Sequence, residues 1–227
     1  MAYFKFGGIA FSGIATAVPA HKVKLSDYQQ QLDKATYALY QQKTEAVALH
    51  KAVELQTASD LGYIAARALI DKKLTEPEQI GAIIFVSKTP DYRSPATACV
   101  LHGRLGLSKD CITFDINLGG SGFIHGIQVL CSLLDNIEKK YGLLIVGDTT
   151  SKQLAQQDPL NMLFGDGTSA VLLEKKSGAR SVCIQTKSMG EGYRSMIVPG
   201  GGSGYILKWI MFRLSMMVVA EPLAIYL

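Results

Sequence analysis

The chain reads as an α/β protein in which helices are layered on a mixed, mostly parallel central sheet, and three observations lead there. Four continuous apolar runs rich in β-branched residues, 82–87, 112–116, 143–146 and 170–173, have strand length and no polar alternation, which suits strands covered on both faces. Helical stretches at about 95–105 and 122–138 separate the first three of these runs, and strands alternating with helices of this length build parallel units. The 227 residues are 48% hydrophobic, enough to bury roughly 70% of the unfolded surface, so a disordered chain is excluded.

The remaining elements follow in order. Residues 8–18 form a β-rich, glycine-punctuated run that stops at Pro19, and Ser26-Asp27 offers a helix start for the polar segment 28–42. Thr57-Ala58-Ser59-Asp60 is an N-terminal capping pattern ahead of Leu61, Ile64, Ala65, Ala68 and Leu69. That spacing gives one apolar face and places a helix at about 59–73. Residues 181–188 offer one more strand, and 189–204 is a Gly-rich connection that reads like the approach to another structural unit.

Charge and cysteine usage narrow the function classes. The net charge is +4, with 23 Lys and Arg against 19 Asp and Glu, and the basic residues are scattered in pairs such as Lys72-Lys73 and Lys139-Lys140. No stripe of the kind that binds nucleic acid is present. Cys99, Cys111, Cys131 and Cys183 lack CxxC spacing and sit among apolar neighbours, which predicts buried reduced thiols and a cytoplasmic protein with no metal site. The N-terminus lacks the basic and apolar regions of a signal peptide. Composition shifts abruptly at the other end: 18 of the 23 residues from Tyr205 to Leu227 are apolar, with the only Trp, Trp209, among them. The longest uncharged run there lies between Arg213 and Glu221, short of the ~18 residues of a membrane span.

The most informative segment is 114–123 (FDINLGGSGF), which runs from a strand through a tight glycine turn into a helix. Such a turn aims helix N-terminal N–H groups at a phosphate, a thiolate or an oxyanion, although a strand-to-helix corner that merely needs glycine has the same appearance. A hydrolase elbow requires G-x-S-x-G, but Phe123 stands two residues after Ser121. A P-loop requires a Lys that is absent. A thioester-forming elbow is the third option. Residues 165–170 (GDGTSA) fit G-x-G-x-x-A but lead into a strand rather than a helix, so they are not a dinucleotide fingerprint.

Together with this elbow, residues 57–61 (TASDL), 95–107 (PATACVLHGRLGL), 144–148 (LIVGD), 164–170 (FGDGTSA) and 198–202 (VPGGG) occur in an order and spacing that resemble the N-terminal half of the β-ketoacyl-acyl carrier protein synthase III family, of thiolase-like fold. The resemblance covers about 8–204 and implies a thiolase-like N-terminal domain at 1–204, followed by a tail at 205–227 unlike the family and suggestive of a truncated or frameshifted end. It implies acyl-coenzyme A or acyl carrier protein thioesters as substrates, no bound cofactor, fatty-acid or related acyl-thioester biosynthesis, and a homodimer or pairing with a full-length homologue. In such proteins an acyl group is loaded onto a Cys at a helix N-terminus and condensed with a malonyl thioester, and a helix N-terminus lowers the pKa of a thiol.

The family Cys falls at Gly120, which has no side chain to acylate, so condensation through an acyl-enzyme is not expected. Ser121 is one residue further on, about 100° around the helix, with no base evident beside it. The family's His and Asn, which stabilise charge during decarboxylation, are expected from motifs beyond this span, which also counts against decarboxylation alone. His125 matches a position usually aromatic and reads as a packed or surface residue, while His50 is placed in a polar helical region. The Arg-Thr-Gly stretch associated with coenzyme A is not recognisable in 43–54 (KTEAVALHKAVE). The loop 89–94 corresponds to one that reaches across the family dimer to shape the partner's acyl tunnel, which makes Tyr92 a candidate substrate contact, and Phe123 on the elbow is a second.

Overall fold

A computed structural model of the chain describes residues 2–195. The elements in order are β1 (Ala2–Phe6), β2 (Ile9–Ala17), β3 (Lys22–Lys24), α1 (Lys34–Thr44), β4 (Ala48–His50), α2 (Ala58–Asp71), β5 (Ile80–Val86), α3 (Thr97–Leu105), β6 (Ile112–Ile116), α4 (Gly122–Leu134), β7 (Tyr141–Asp148), β8 (Gly167–Lys175) and β9 (Val182–Thr186), with short 3₁₀ turns between several of them. Two compact units are distinguished among the described residues, Phe4–Ile184 and a second one that includes residues 2–3 and 185–195. The described part of the second holds a 3₁₀ turn, Gly190–Ser195, in which the Arg194 Nε–H donates to the Tyr193 hydroxyl at 2.7 Å. The expected boundary at 204/205 and the apolar tail lie outside the described residues.

The larger unit is built on a five-stranded sheet of order β2-β8-β7-β5-β6. It is mixed, as expected, and its parallel part is confined to β7, β5 and β6; β8 runs antiparallel to both β7 and β2. Strands β1 and β9 pair in a separate two-stranded sheet, and β3 pairs with β4 in another. All seven residues of β5 are buried, and alternation along it explains why. Ile83 and Phe85 pack under α2 and α3 with Leu61, Ala65, Leu69, Leu101 and Leu105. Ala82, Ile84 and Val86 pack on the opposite face under α4 with Ile127, Leu130 and Leu134. The result is helix on sheet on helix, with β5 at the centre.

Helix α2 starts as its sequence dictates. The Asp60 N–H donates to the Thr57 hydroxyl at 3.2 Å, while the Asp60 carboxylate accepts from the Thr57 N–H at 3.0 Å. Helix α1 corrects the expectation of a start at Ser26-Asp27: residues Leu25–Tyr28 form a 3₁₀ turn that buries Leu25 and Tyr28, and the helix begins at Lys34. Its cap is Asp33, whose carboxylate accepts from Ala35 N–H at 3.1 Å and Thr36 N–H at 3.0 Å. His50 lies on strand β4 rather than in a helix, and its Nδ1–H donates to the Pro19 carbonyl at 2.6 Å.

The cysteines divide. Cys111 and Cys131 are buried, and burial pushes both thiols up to about 11, whereas Cys99 and Cys183 are exposed. The expectation of four buried thiols therefore fails for two. Cys99 lies on the turn of α3 beside edge strand β6, with its Sγ 3.3 Å from the Thr113 hydroxyl, and Cys183 alternates outward on a strand whose neighbour Ile184 is buried. Apolar sequence neighbours do not decide which way a side chain faces.

Candidate functional site

The three parallel strands deliver their carboxyl ends to one edge of the sheet, where α/β folds place their sites. Strand β6 ends at Ile116, and the turn Asn117–Ser121 leads into α4. Two glycines in this turn and one at the start of α4 act for different reasons. A β-carbon on Gly122 would stand 2.5 Å from Val86 Cγ1, so glycine here lets α4 seat on β5. One on Gly119 would meet the Lys88 side chain, with Cδ at 3.2 Å and Cε at 3.6 Å. One on Gly120 would meet nothing within 4 Å, and Gly120 is exposed.

Ser121 is the N-cap of α4 and makes no side-chain cap bond, so no side chain of its own answers the N–H groups of the first helical turn. The turn is closed by the Gly122 N–H donating to the Gly119 carbonyl at 2.7 Å. One turn on, the His125 Nδ1–H donates to the Ser121 carbonyl at 3.0 Å, which fixes the ring against the elbow. Phe123 is half-buried and packs against the α4 side of the core.

Carboxylates hold the surrounding loops. Asp148, at the end of β7, accepts from the Ser87 hydroxyl at 2.8 Å, the Lys88 N–H at 2.7 Å and the Thr89 hydroxyl at 3.3 Å, so the ends of β5 and β7 are clamped together. Asp115 on β6 accepts from the N–H groups of Thr97 at 2.6 Å and Ala98 at 2.8 Å, capping α3. Buried Asp166 accepts from the Ala52 N–H at 2.7 Å and from Ser151 through its N–H and hydroxyl at 3.0 and 2.5 Å. Lys51, also buried, donates to the Asn161 carbonyl at 3.0 Å and side-chain Oδ1 at 2.9 Å. Burial pushes the Lys51 ammonium down, opposed by the charge of Asp166.

Gly120 and Phe123 thus share the elbow, while Tyr92, 58% exposed, sits on the separate loop between β5 and α3. The segment 43–54 ends α1 with Lys43 in its last turn and Glu45 in a left-handed conformation (φ 50°) before entering β4. Lys88, Asp148, Asp115 and Lys51 were not among the sequence candidates. Lys88 carried a usable signal, being the second residue after the apolar run of β5 at a sheet edge where sites form. Two surface recesses of about 320 Å³ each lie elsewhere, one beside Tyr37 and Glu45 and one beside Lys51 and Asn161. Among the described residues no group of three or more His, Cys, Asp or Glu is placed to hold a metal ion, and no helix is long and apolar enough to cross a membrane. Of residues 165–170, all from Gly167 on already belong to β8, so the strand starts three residues before the expected 170 and no helix follows the glycines.

The sequence signature of 3-oxoacyl-(acyl-carrier-protein) synthase III matches residues 114–192, which include the elbow. A β-ketoacyl-(acyl-carrier-protein) synthase III of Rhizorhabdus wittichii is 30% identical over 194 residues, covering 84% of this chain and 60% of the relative. One of Clostridium perfringens is 34% identical over 149 residues, covering 64% and 45%. The crystal structure of a 3-oxoacyl-(acyl-carrier protein) synthase from Burkholderia xenovorans superposes with a TM-score of 0.85 at 32% identity, over 88% of this chain and 58% of that one. The chain therefore spans between 45% and 60% of the length of these relatives.

Proposed function

Because the chain belongs to the 3-oxoacyl-(acyl-carrier-protein) synthase III family and has the N-terminal half of its thiolase-like fold, we propose that it binds acyl thioesters at the α4 elbow without forming an acyl-enzyme there. The observation that carries this is Gly120. A covalent route needs a side-chain nucleophile at the helix start, and this position offers none, while the space a side chain would fill is open. Ser121 is exposed at the helix cap, and the His125 ring, hydrogen-bonded to the elbow, uses its Nδ1–H on the Ser121 carbonyl, not on the hydroxyl. The substrates are acyl-coenzyme A or acyl carrier protein thioesters of fatty-acid or related biosynthesis. The test is to add acetyl-coenzyme A and a malonyl-acyl carrier protein: a rise in melting temperature with acyl-coenzyme A and no 3-oxoacyl product supports the reading, and a 3-oxoacyl product made by the purified chain refutes it.

A second reading, a non-catalytic subunit that pairs with a full-length homologue, is favoured by β6, which among the described residues pairs only with β5 and has Ile112 exposed at that edge of the sheet. Light scattering on a mixture with such a homologue decides it. A complex heavier than either component supports pairing, and two independent species exclude it.

A further inference from the structure

Lys51 is buried, at 8% exposure, yet among the described residues no carboxylate lies within ion-pair distance of it. A buried ammonium ordinarily has such a partner. Asp166, whose charge acts on Lys51, accepts instead from Ala52 and Ser151. The Lys51 Nζ donates to the Asn161 carbonyl at 3.0 Å and to its Oδ1 at 2.9 Å, and lies 5.0 Å from the centre of the Tyr28 ring. Two donated hydrogen bonds are the full complement of a neutral amine, which keeps its lone pair besides, whereas an ammonium has a third N–H to place. Among the described residues no third acceptor is within hydrogen-bond reach, so Asn161 suits the neutral form, the one that burial also favours.

Lys51 and Asn161 also line one of the two recesses of about 320 Å³, together with apolar Val23 and Leu154 and the hydroxyl-bearing Tyr28 and Ser151. A recess of this size takes a small organic molecule. Asp27 lines it too, with its carboxylate turned back to the Lys24 N–H at 3.3 Å and the Ser26 hydroxyl at 3.4 Å. With Asp166 acting on Lys51 as well, two negative charges count against an anionic ligand. We propose that this recess is a covalent carbonyl site, in which a small uncharged aldehyde or ketone forms an imine on the Lys51 Nζ. The nitrogen lone pair attacks the carbonyl carbon, a C=N bond replaces the C=O bond, and the oxygen leaves as water with the two amine protons. No oxidant or reductant is involved. A proton taken up from water gives an iminium that retains one N–H for an Asn161 acceptor. The site is independent of the reading given for the α4 elbow.

The experiment is reductive trapping of the intact chain with butanal and cyanoborohydride, which delivers hydride to the imine carbon and leaves a stable secondary amine. Peptide mapping at short times reads the rate at each lysine, with exposed Lys72 and Lys73 as internal references. At neutral pH Lys51 is expected to be alkylated several-fold faster than either. In concentrated urea, where the recess is gone, the three rates become equal. The Lys51 rate also reaches half its maximum at a lower pH than theirs, because Tyr28 and Asn161 hold the amine away from water while Asp27 and Asp166 only partly offset that burial. A Lys51 rate no faster than that of Lys72 and Lys73 in the folded chain overturns the proposal. So does a preference that persists in urea, or a pH profile that coincides with that of the exposed lysines. None of these results requires an altered chain to fold, and none bears on thioester binding at the elbow.

Discussion

Val86 Cγ1 stands 2.5 Å from the point that a β-carbon on Gly122 would occupy, so the last buried residue of β5 and the first residue of α4 meet only because one of them is glycine. Gly120, two residues earlier, faces open space and carries no such constraint. Gly122→Ala is therefore expected to cost about 1–3 kcal/mol through overpacking, and Gly120→Ala less than about 0.5 kcal/mol. Chemical denaturation of the two variants checks the difference, and equal losses would contradict the packing described for the elbow.

The same open space allows a thiol to be installed. Gly120→Cys places a sulfur at the start of the 13-residue helix α4, where the helix N-terminus favours the thiolate. Its alkylation by iodoacetamide at neutral pH should outpace that of exposed Cys99 several-fold. A rate no greater than that of Cys99 would mean that the elbow does not activate a nucleophile.

Cys99 and Cys183 should react with a maleimide in the folded protein, whereas buried Cys111 and Cys131 should react only after denaturation, giving two adducts and then four by intact mass. The buried pair also predicts a pH dependence. Their folded values of about 11 lie above the ordinary thiol value of 9.0, so the folded state holds more protons between the two. Their contribution to stability is complete below pH 9 and is lost as pH rises through about 11. Cys131→Ala should flatten this fall when denaturation is followed across that window, after allowance for its own loss of packing.

Asp115 caps a helix 18 residues earlier in the chain, because the N-cap position of α3 is Ala96, whose side chain accepts no hydrogen bond. Asp115→Ala should cost about 1–2 kcal/mol by leaving the Thr97 and Ala98 N–H groups unanswered, and Asp115→Asn should recover part of it. A loss no larger than that of a surface substitution would show that α3 does not depend on this carboxylate.

What the sequence revealed and what it hid divide along the distance over which each determinant acts. Thr57 and Asp60 set the start of α2 within three residues of each other, and the apolar runs of β5 to β8 mark strands by composition alone, so both were legible. Asp27 and Asp33 are equally able to cap a helix. The choice of Asp33 is made by Leu25 and Tyr28, which turn inward to pack with Met162, more than a hundred residues away. The exposure of Cys99 follows from its facing an edge strand, which its local sequence cannot show. At the site, Gly120 was found through the family pattern. Lys88 stands at a sheet edge that the apolar run of β5 already marks, but its approach to Gly119, 31 positions away, became visible only when β5 and the elbow were placed side by side.

The central claim is that the elbow carries no acyl-accepting side chain, and intact-mass analysis after incubation with acyl-coenzyme A tests it most directly. The account predicts an unchanged mass for this chain under conditions that acylate a full-length relative. An added acyl mass that peptide mapping places within residues 117–125 would contradict it.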